Sequence, residues 1–306
     1  MLSITHGVLE KVELEDIHFG ELKLPNTITR IGEKAFSHLS GLERITIPES
    51  VKVIEKRSFE FCEDLQSVLI NEGLLQIEEF AFEGCCNLKN IVLPETLCIL
   101  GNHVFRNCKN LLNVILPQNL VQMGKGVFEF CIKLETGNIP KLILEVPDST
   151  FSNCYNLKSI VFESDLRAIG AYAFLKCQDL KDAPLPDSVY EIRESAFKSC
   201  HNLVSIALPS SLEKIQRSSF EDCDNLLYVR MPISFANLER FYETEKSLTE
   251  DSDTYLELPE QVSSVHESLV VEPKNFESDN VSENFKEHNN NEENLGSSVV
   301  SDDNNS

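Results

Sequence analysis

The sequence predicts a β-rich α/β solenoid, a right-handed horseshoe of stacked coils made from short strands and 3₁₀ or helical turns. Three observations carry that prediction. Phenylalanine recurs every 23 residues at Phe36, Phe59, Phe82, Phe105, Phe128, Phe151, Phe174, Phe197 and Phe220, without a slip. Leucine keeps the same step from Leu42 to Leu226. An aliphatic column runs in phase from Ile31 to Ile215. A fixed period of this size marks a repeat architecture, because one unit cannot bury its own apolar face and a stack of units can.

Each unit begins with a short strand. In "LERITIP" the apolar residues Ile45 and Ile47 alternate with polar ones, the period-two pattern of a half-buried strand, and Pro48 ends it by offering no N–H. A second extended piece, "SVKVIE", turns Val51 and Ile54 inward. "KRSFEFC" then reads as a turn of 3₁₀ or α-helix that points Phe59 and Cys62 into the coil. Asn87, Asn110, Asn156, Asn202 and Asn225 precede the ladder leucine, where an Asn side chain can satisfy turn backbone. Stacking in register sets phenylalanine on phenylalanine, each worth roughly 2–3 kcal/mol when buried. A slip of one residue would expose every inward side chain at once.

Nine such units occupy residues 22–232. Residues 1–21 read as an N-terminal cap holding a half-repeat. Phe235, Leu238, Phe241 and Tyr242 stand at near-helical spacing and predict a capping helix over 233–245. Residues 246–306 are rich in Ser, Asn, Asp and Glu with few aromatics, the composition of a disordered acidic tail. Two departures interrupt the repeat. The first unit has Leu39 where the others have cysteine. The sixth has Pro147 in place of the usual glycine and Gly137 in the aliphatic column, which predicts a local kink near Gly137.

The stretches "LPNTITRIGEKAFSHLSGLERITIP", "IPESVKVIEKRSFEFCEDLQSVLI" and "LPDSVYEIRESAFKSCHNLVSIALP" resemble the 23-residue leucine-rich repeat of BspA-like proteins. The resemblance spans about Leu22 to Pro232. Ala35, Ala81, Ala173 and Ala196 match that family's Ala before Phe, and Gly32, Gly101, Gly124 and Gly170 match its Gly. It implies a leucine-rich-repeat solenoid and a surface or interaction protein, with a cell-surface adhesin or antigen as the alternative reading.

The net charge of −23 makes nucleic acid a poor partner. No apolar run is long enough for a membrane-spanning helix, so membrane insertion is not expected. The start of the chain lacks a basic segment followed by an apolar one, which predicts a cytoplasmic protein, with unconventional export to the cell surface as the alternative. Eight of the ten cysteines stand 23 apart, at Cys62, Cys85, Cys108, Cys131, Cys154, Cys177, Cys200 and Cys223. No C-x₂-C pair is present, so they read as buried reduced thiols, with no metal or other cofactor expected. The histidines share no column, and Cys200–His201, the one Cys–His neighbour pair, falls on a core position. The sequence therefore predicts no enzyme.

A monomeric scaffold for a protein or peptide ligand is the expectation. The residues between the inward aliphatics run Thr46, Leu69, Val92, Ile115, Asn138, Val161, Pro184, Ala207 and Arg230, and their neighbours include Asn113 and Ser159. An apolar strip bordered by small polar groups suits a protein ligand on the concave face. The predicted contact residues are Leu69, Val92, Ile115, Val161, Asn113 and Ser159.

Overall fold

The computed structural model describes residues 2–230 except Ser164 and Arg217. The capping helix expected over 233–245 and the tail expected from 246 lie outside the described residues. Residues 2–230 form a β-solenoid of about ten turns. Every ring of the phenylalanine column is buried, at most 2% exposed. Successive rings stack with centroids from 4.4 Å (Phe36–Phe59) to 5.7 Å (Phe105–Phe128) apart. Phe82 touches both Phe59, at 4.9 Å, and Phe105, at 5.6 Å, so like packs on like.

Three hydrogen-bonded ladders join coil to coil. The first is made of long strands: Glu21–Lys23, Arg44–Ile47, Ser67–Ile70 and Asn90–Val92 form one parallel sheet. Its register is the repeat itself, with Ile45 opposite Val68 and Val68 opposite Ile91. The second is made of two-residue strands such as Val53–Ile54 and Gln76–Ile77, again in step. At the N-terminal end the hairpin of Ser3–Thr5 and Val8–Lys11 closes this ladder, with Leu9 against Ile31. Inward alternation then places Ile45, Ile47, Val51 and Ile54 in one continuous core with the phenylalanines.

The third ladder departs from the sequence expectation. Turns of 3₁₀ or α-helix were expected around each phenylalanine, yet the only helical element among the described residues is the 3₁₀ turn Leu14–Asp16 in the cap. A helix sends every N–H back along its own chain. Here alternate N–H groups go elsewhere. Those of Arg57, Phe59 and Phe61 donate to Glu79, Ala81 and Glu83 of the next coil, while those of Ser58, Glu60 and Cys62 donate three residues back. Alternation of this kind needs the residues two before and two after each Phe in the left-handed region. Arg57 (φ 56°) and Phe61 (φ 54°) are there, and so are their equivalents in every coil, from Lys34 and His38 to Ser218 and Asp222. Left-handed backbone costs an L-residue about 1–2 kcal/mol, and the inter-coil bond it permits offsets that cost.

The cysteine column follows from the same geometry. Each Phe carbonyl accepts from the N–H three residues on in its own coil, that of Leu39 in the first coil and of a cysteine in the others, and its second lone pair faces the next coil. There a cysteine Sγ–H donates to it: Cys62 to Phe36 at 2.9 Å, Cys131 to Phe105 at 3.1 Å, Cys223 to Phe197 at 3.1 Å. The first coil has no Phe carbonyl beneath it, and its position carries Leu39.

The short-strand ladder breaks between the fifth and sixth units, and the long-strand ladder thins to single bridges from the fourth unit to the sixth. The short-strand sheet that ends at Gln122–Met123 does not pair with Glu145–Val146, which opens a second sheet. Elsewhere the residue after the short strand donates its N–H to the coil before, as Gly124 does to Leu100 and Gly170 to Val146. Pro147 occupies that position and has no N–H. On the long-strand side only isolated bridges, Asn90↔Asn113 and Asn113↔Thr136, cross the gap. Asn138 spans it with its side chain: Leu116 N–H donates to Asn138 Oδ1 at 2.8 Å, and Asn138 Nδ2 donates to the Leu116 carbonyl at 3.0 Å. In an intact coil the equivalent N–H, that of Leu208, donates to the backbone carbonyl of Arg230. The irregularity expected at Gly137 is thus a seam beside it, made by Pro147 and Asn138. Gly137 itself pairs in register with Ile160.

Candidate ligand-binding face

The long strands present their alternate residues outward because the intervening ones are committed to the core. Arg44–Ile47 reads exposed, buried, exposed, buried. Of the predicted contact residues, Leu69 is 51% exposed, Val92 63%, Ile115 76% and Val161 55%. Asn113 and Ser159 are exposed beside them, and Asn113 Oδ1 accepts from Thr136 Oγ1 at 2.9 Å. Leu69 and Val92 are direct ladder neighbours. Asn138 belongs to the same sequence column and is a correction to it: it is 7% exposed, turned into the seam. The strip is therefore Leu69, Val92 and Ile115, a gap, and then Val161.

An open groove of about 360 Å³ lies over the first coils of this face, lined in part by Arg44, Thr46, Leu69, Asn90 and Val92. At its edge Arg44 Nε meets Glu21 Oε1 at 2.9 Å, and that hydrogen bond to Glu21 raises the guanidinium pKa.

A second exposed apolar strip escaped sequence reasoning. Leu75, Val121 and Leu144 are each more than a third exposed, with Cys98 half-buried between the first two, and exposed Arg167 interrupts the column before Tyr190. The signal was present in doublets such as "LL" at Leu74–Leu75 and "LV" at Leu120–Val121. When two apolar residues adjoin in an extended segment, one of them must face out.

Comparison with known proteins bears on the fold carrying this face. The sequence-family description "BspA type Leucine rich repeat region (6 copies)" matches residues 14–135, 75–204, 122–249 and 167–291. The chain belongs to the BspA type leucine-rich repeat family. No curated protein sequence matches it. Among solved structures it is similar to a T. pallidum leucine-rich repeat protein at 27% identity, covering 56% of this chain and 82% of that one, with a TM-score of 0.52. A leucine-rich repeat protein from Eubacterium ventriosum shares the fold at 22% identity, 70% and 66% coverage, and a TM-score of 0.52.

Within this BspA type solenoid the neighbours Cys200 and His201 engage different partners. Cys200 is fully buried and donates to the Phe174 carbonyl at 3.2 Å. His201 points the other way, its Nδ1 2.8 Å from Asp224 Oδ2. Burial pushes the Cys62 and Cys223 thiols up to about 12, and those of Cys85, Cys108, Cys154, Cys177 and Cys200 well above their ordinary value. A thiol so displaced stays protonated and is a poor nucleophile. Among the described residues, no group of three His, Cys, Asp or Glu could hold a metal ion.

Proposed function

We propose that this protein is a non-enzymatic interaction scaffold that binds a protein or peptide on its long-strand face. One observation carries the reading: Leu69, Val92 and Ile115 stand side by side on consecutive coils, each at least half exposed. Three large aliphatic side chains in an exposed row lose about 25 cal/mol per Å² of apolar area for as long as they stay wet, so a partner that covers them gains that energy. The row is rimmed by Asn90, Asn113 and Ser159, which fits the apolar core and polar border of a recognition surface.

Ile115→Lys together with Val161→Lys tests it. Both side chains are solvent-facing, so the thermal melt is expected to stay within about 0.5 kcal/mol of wild type, while pull-down of the partner is lost. Unchanged pull-down would exclude this face.

The protein acts in the cytoplasm on this reading; no helix among the described residues is long and apolar enough to cross a membrane. Protease treatment of intact cells decides between that location and the cell surface, where the chain would be digested without permeabilisation.

A further inference from the structure

We infer that the seam between the fifth and sixth units is a hinge, at which the coils before and after it turn relative to one another about the phenylalanine turn ladder. The hinge is a property of the solenoid and holds whatever the long-strand face binds.

The first argument is what this step lacks. At every other step among the described residues, the short-strand side repeats the same two backbone bonds. The residue before the short strand donates its N–H to the matching carbonyl of the preceding coil, from Thr29 onto Gly7 to Glu213 onto Tyr190. The residue after the short strand does likewise, from Gly32 onto Leu9 to Gln216 onto Ile192. At the seam both are missing. Leu144 makes no such bond to Val121, and Pro147 has no N–H to give Met123. The strands between them, Gln122–Met123 and Glu145–Val146, do not pair. On the long-strand side the Asn138 amide replaces the backbone carbonyl as acceptor for Leu116, and Asn113↔Thr136 is a single bridge.

The second argument is what the step keeps. The turn N–H groups of Gly126, Phe128 and Phe130 donate across it. Cys154 Sγ donates to the Phe128 carbonyl at 3.1 Å, and the Phe128 and Phe151 rings stack at 5.5 Å. All of these belong to the turn side of the coil. Between the short strand and the turn, the step is spanned by the exposed Lys125 and its partner Asp148, an ion pair of the kind that holds little. A step fixed along one side and loose along the others turns about the fixed side, and regions with few backbone links open before the rest. A partner reaching from Ile115 to Val161 would span the hinge and set its angle; that consequence, unlike the hinge itself, rests on the long-strand face being the binding face.

Spin-label distances in the full-length protein test the hinge. A Cys86→Ser, Cys98→Ser background leaves only the buried ladder thiols, so labels go to exposed positions of the short-strand column. Lys52→Cys with Leu144→Cys crosses the seam and Thr29→Cys with Val121→Cys does not, while both pairs are four coils, about 19 Å, apart. Double electron–electron resonance in frozen solution is expected to show a distance distribution broader by about 1–2 Å for the crossing pair. Pro147→Gly returns the missing N–H and should narrow that distribution to the width of the other pair. Equal widths in the two pairs overturn the hinge. A crossing pair that stays as broad with Pro147→Gly also overturns it, because the looseness then does not come from the missing ladder.

Discussion

The phenylalanine turns and the long strands belong to the same coils, yet they respond differently to the same irregular unit. Around the fifth and sixth units both strand ladders are interrupted, the short one between those two units and the long one from the fourth unit to the sixth. The turn ladder runs through: Gly126 donates to Asp148, Phe128 to Thr150, and Phe130 to Ser152, and the Phe128 and Phe151 rings stack at 5.5 Å. The turns hold because each coil contributes three backbone bonds, a ring and, in most coils, a thiol, all at fixed positions. The strands carry fewer constraints. One proline in the short strand's exit and one asparagine in the long strand open them, and Pro184 similarly leaves the eighth unit without a long strand. The region that tolerates variation is the one that presents exposed side chains to solvent, and the region that does not is the one that holds the stack together.

That contrast can be broken in four ways. Thiol reactivity separates the regions most widely. Cys86 and Cys98, which are partly exposed, are expected to react first with an aromatic disulfide reagent in the native protein. The eight ladder thiols should wait for the solenoid to open, slower by more than about 10³ if opening costs what an ordinary domain's unfolding costs. A count of native reactive thiols well above two would mean the turn ladder is loose. Next, Phe128→Ala should cost about 3–5 kcal/mol, since it removes a ring stacked on both sides and leaves a cavity that two rigid turns cannot close. Chemical denaturation measures it, and a loss under 1 kcal/mol would deny the column its role.

Asn138→Ala sharpens the seam. It strips both partners from the buried Leu116 amide and should cost about 1–3 kcal/mol. A neutral result would show that the backbone ladder closes by itself once the side chain is gone. The smallest effect belongs to the surface pair of Lys125 and Asp148, 2.7 Å apart across the seam. Partial burial alone would raise the Asp148 pKa; the hydrogen bonds from Lys125 and from the Ala171 N–H outweigh it, and the pKa stands below its ordinary value. A carboxylate with a lowered folded pKa contributes stability that is present above its unfolded pKa and is lost as pH falls through the folded one. Lys125→Ala should therefore cost under about 1 kcal/mol at pH 7, and less at pH 3, by urea denaturation.

Much of this was legible in the residues. The column from Phe36 to Phe220 fixed the stacking partner of every ring, and the alternation in "RITI" fixed which side chains of the long strand face out. Leu69, Val92, Ile115 and Val161 were found that way. Asn138 was missed because alternation assigns a side chain to a face and is blind to a polar side chain that can replace a backbone partner. The turns were misread because "KRSFEFC" has the composition of a helical turn. Nothing within one unit reveals that half its N–H groups are claimed by the unit 22 residues on.

The sequence by itself determined the period, the phase and the inward set, since these follow from side-chain chemistry repeated at one spacing. Tertiary structure alone decided where each backbone donor goes: into the left-handed turn ladder, into the strand pairs, or at Leu116 into an asparagine amide. The reason is that a hydrogen bond is settled by the nearest acceptor in space, and in a solenoid that acceptor usually lies a whole coil away along the chain.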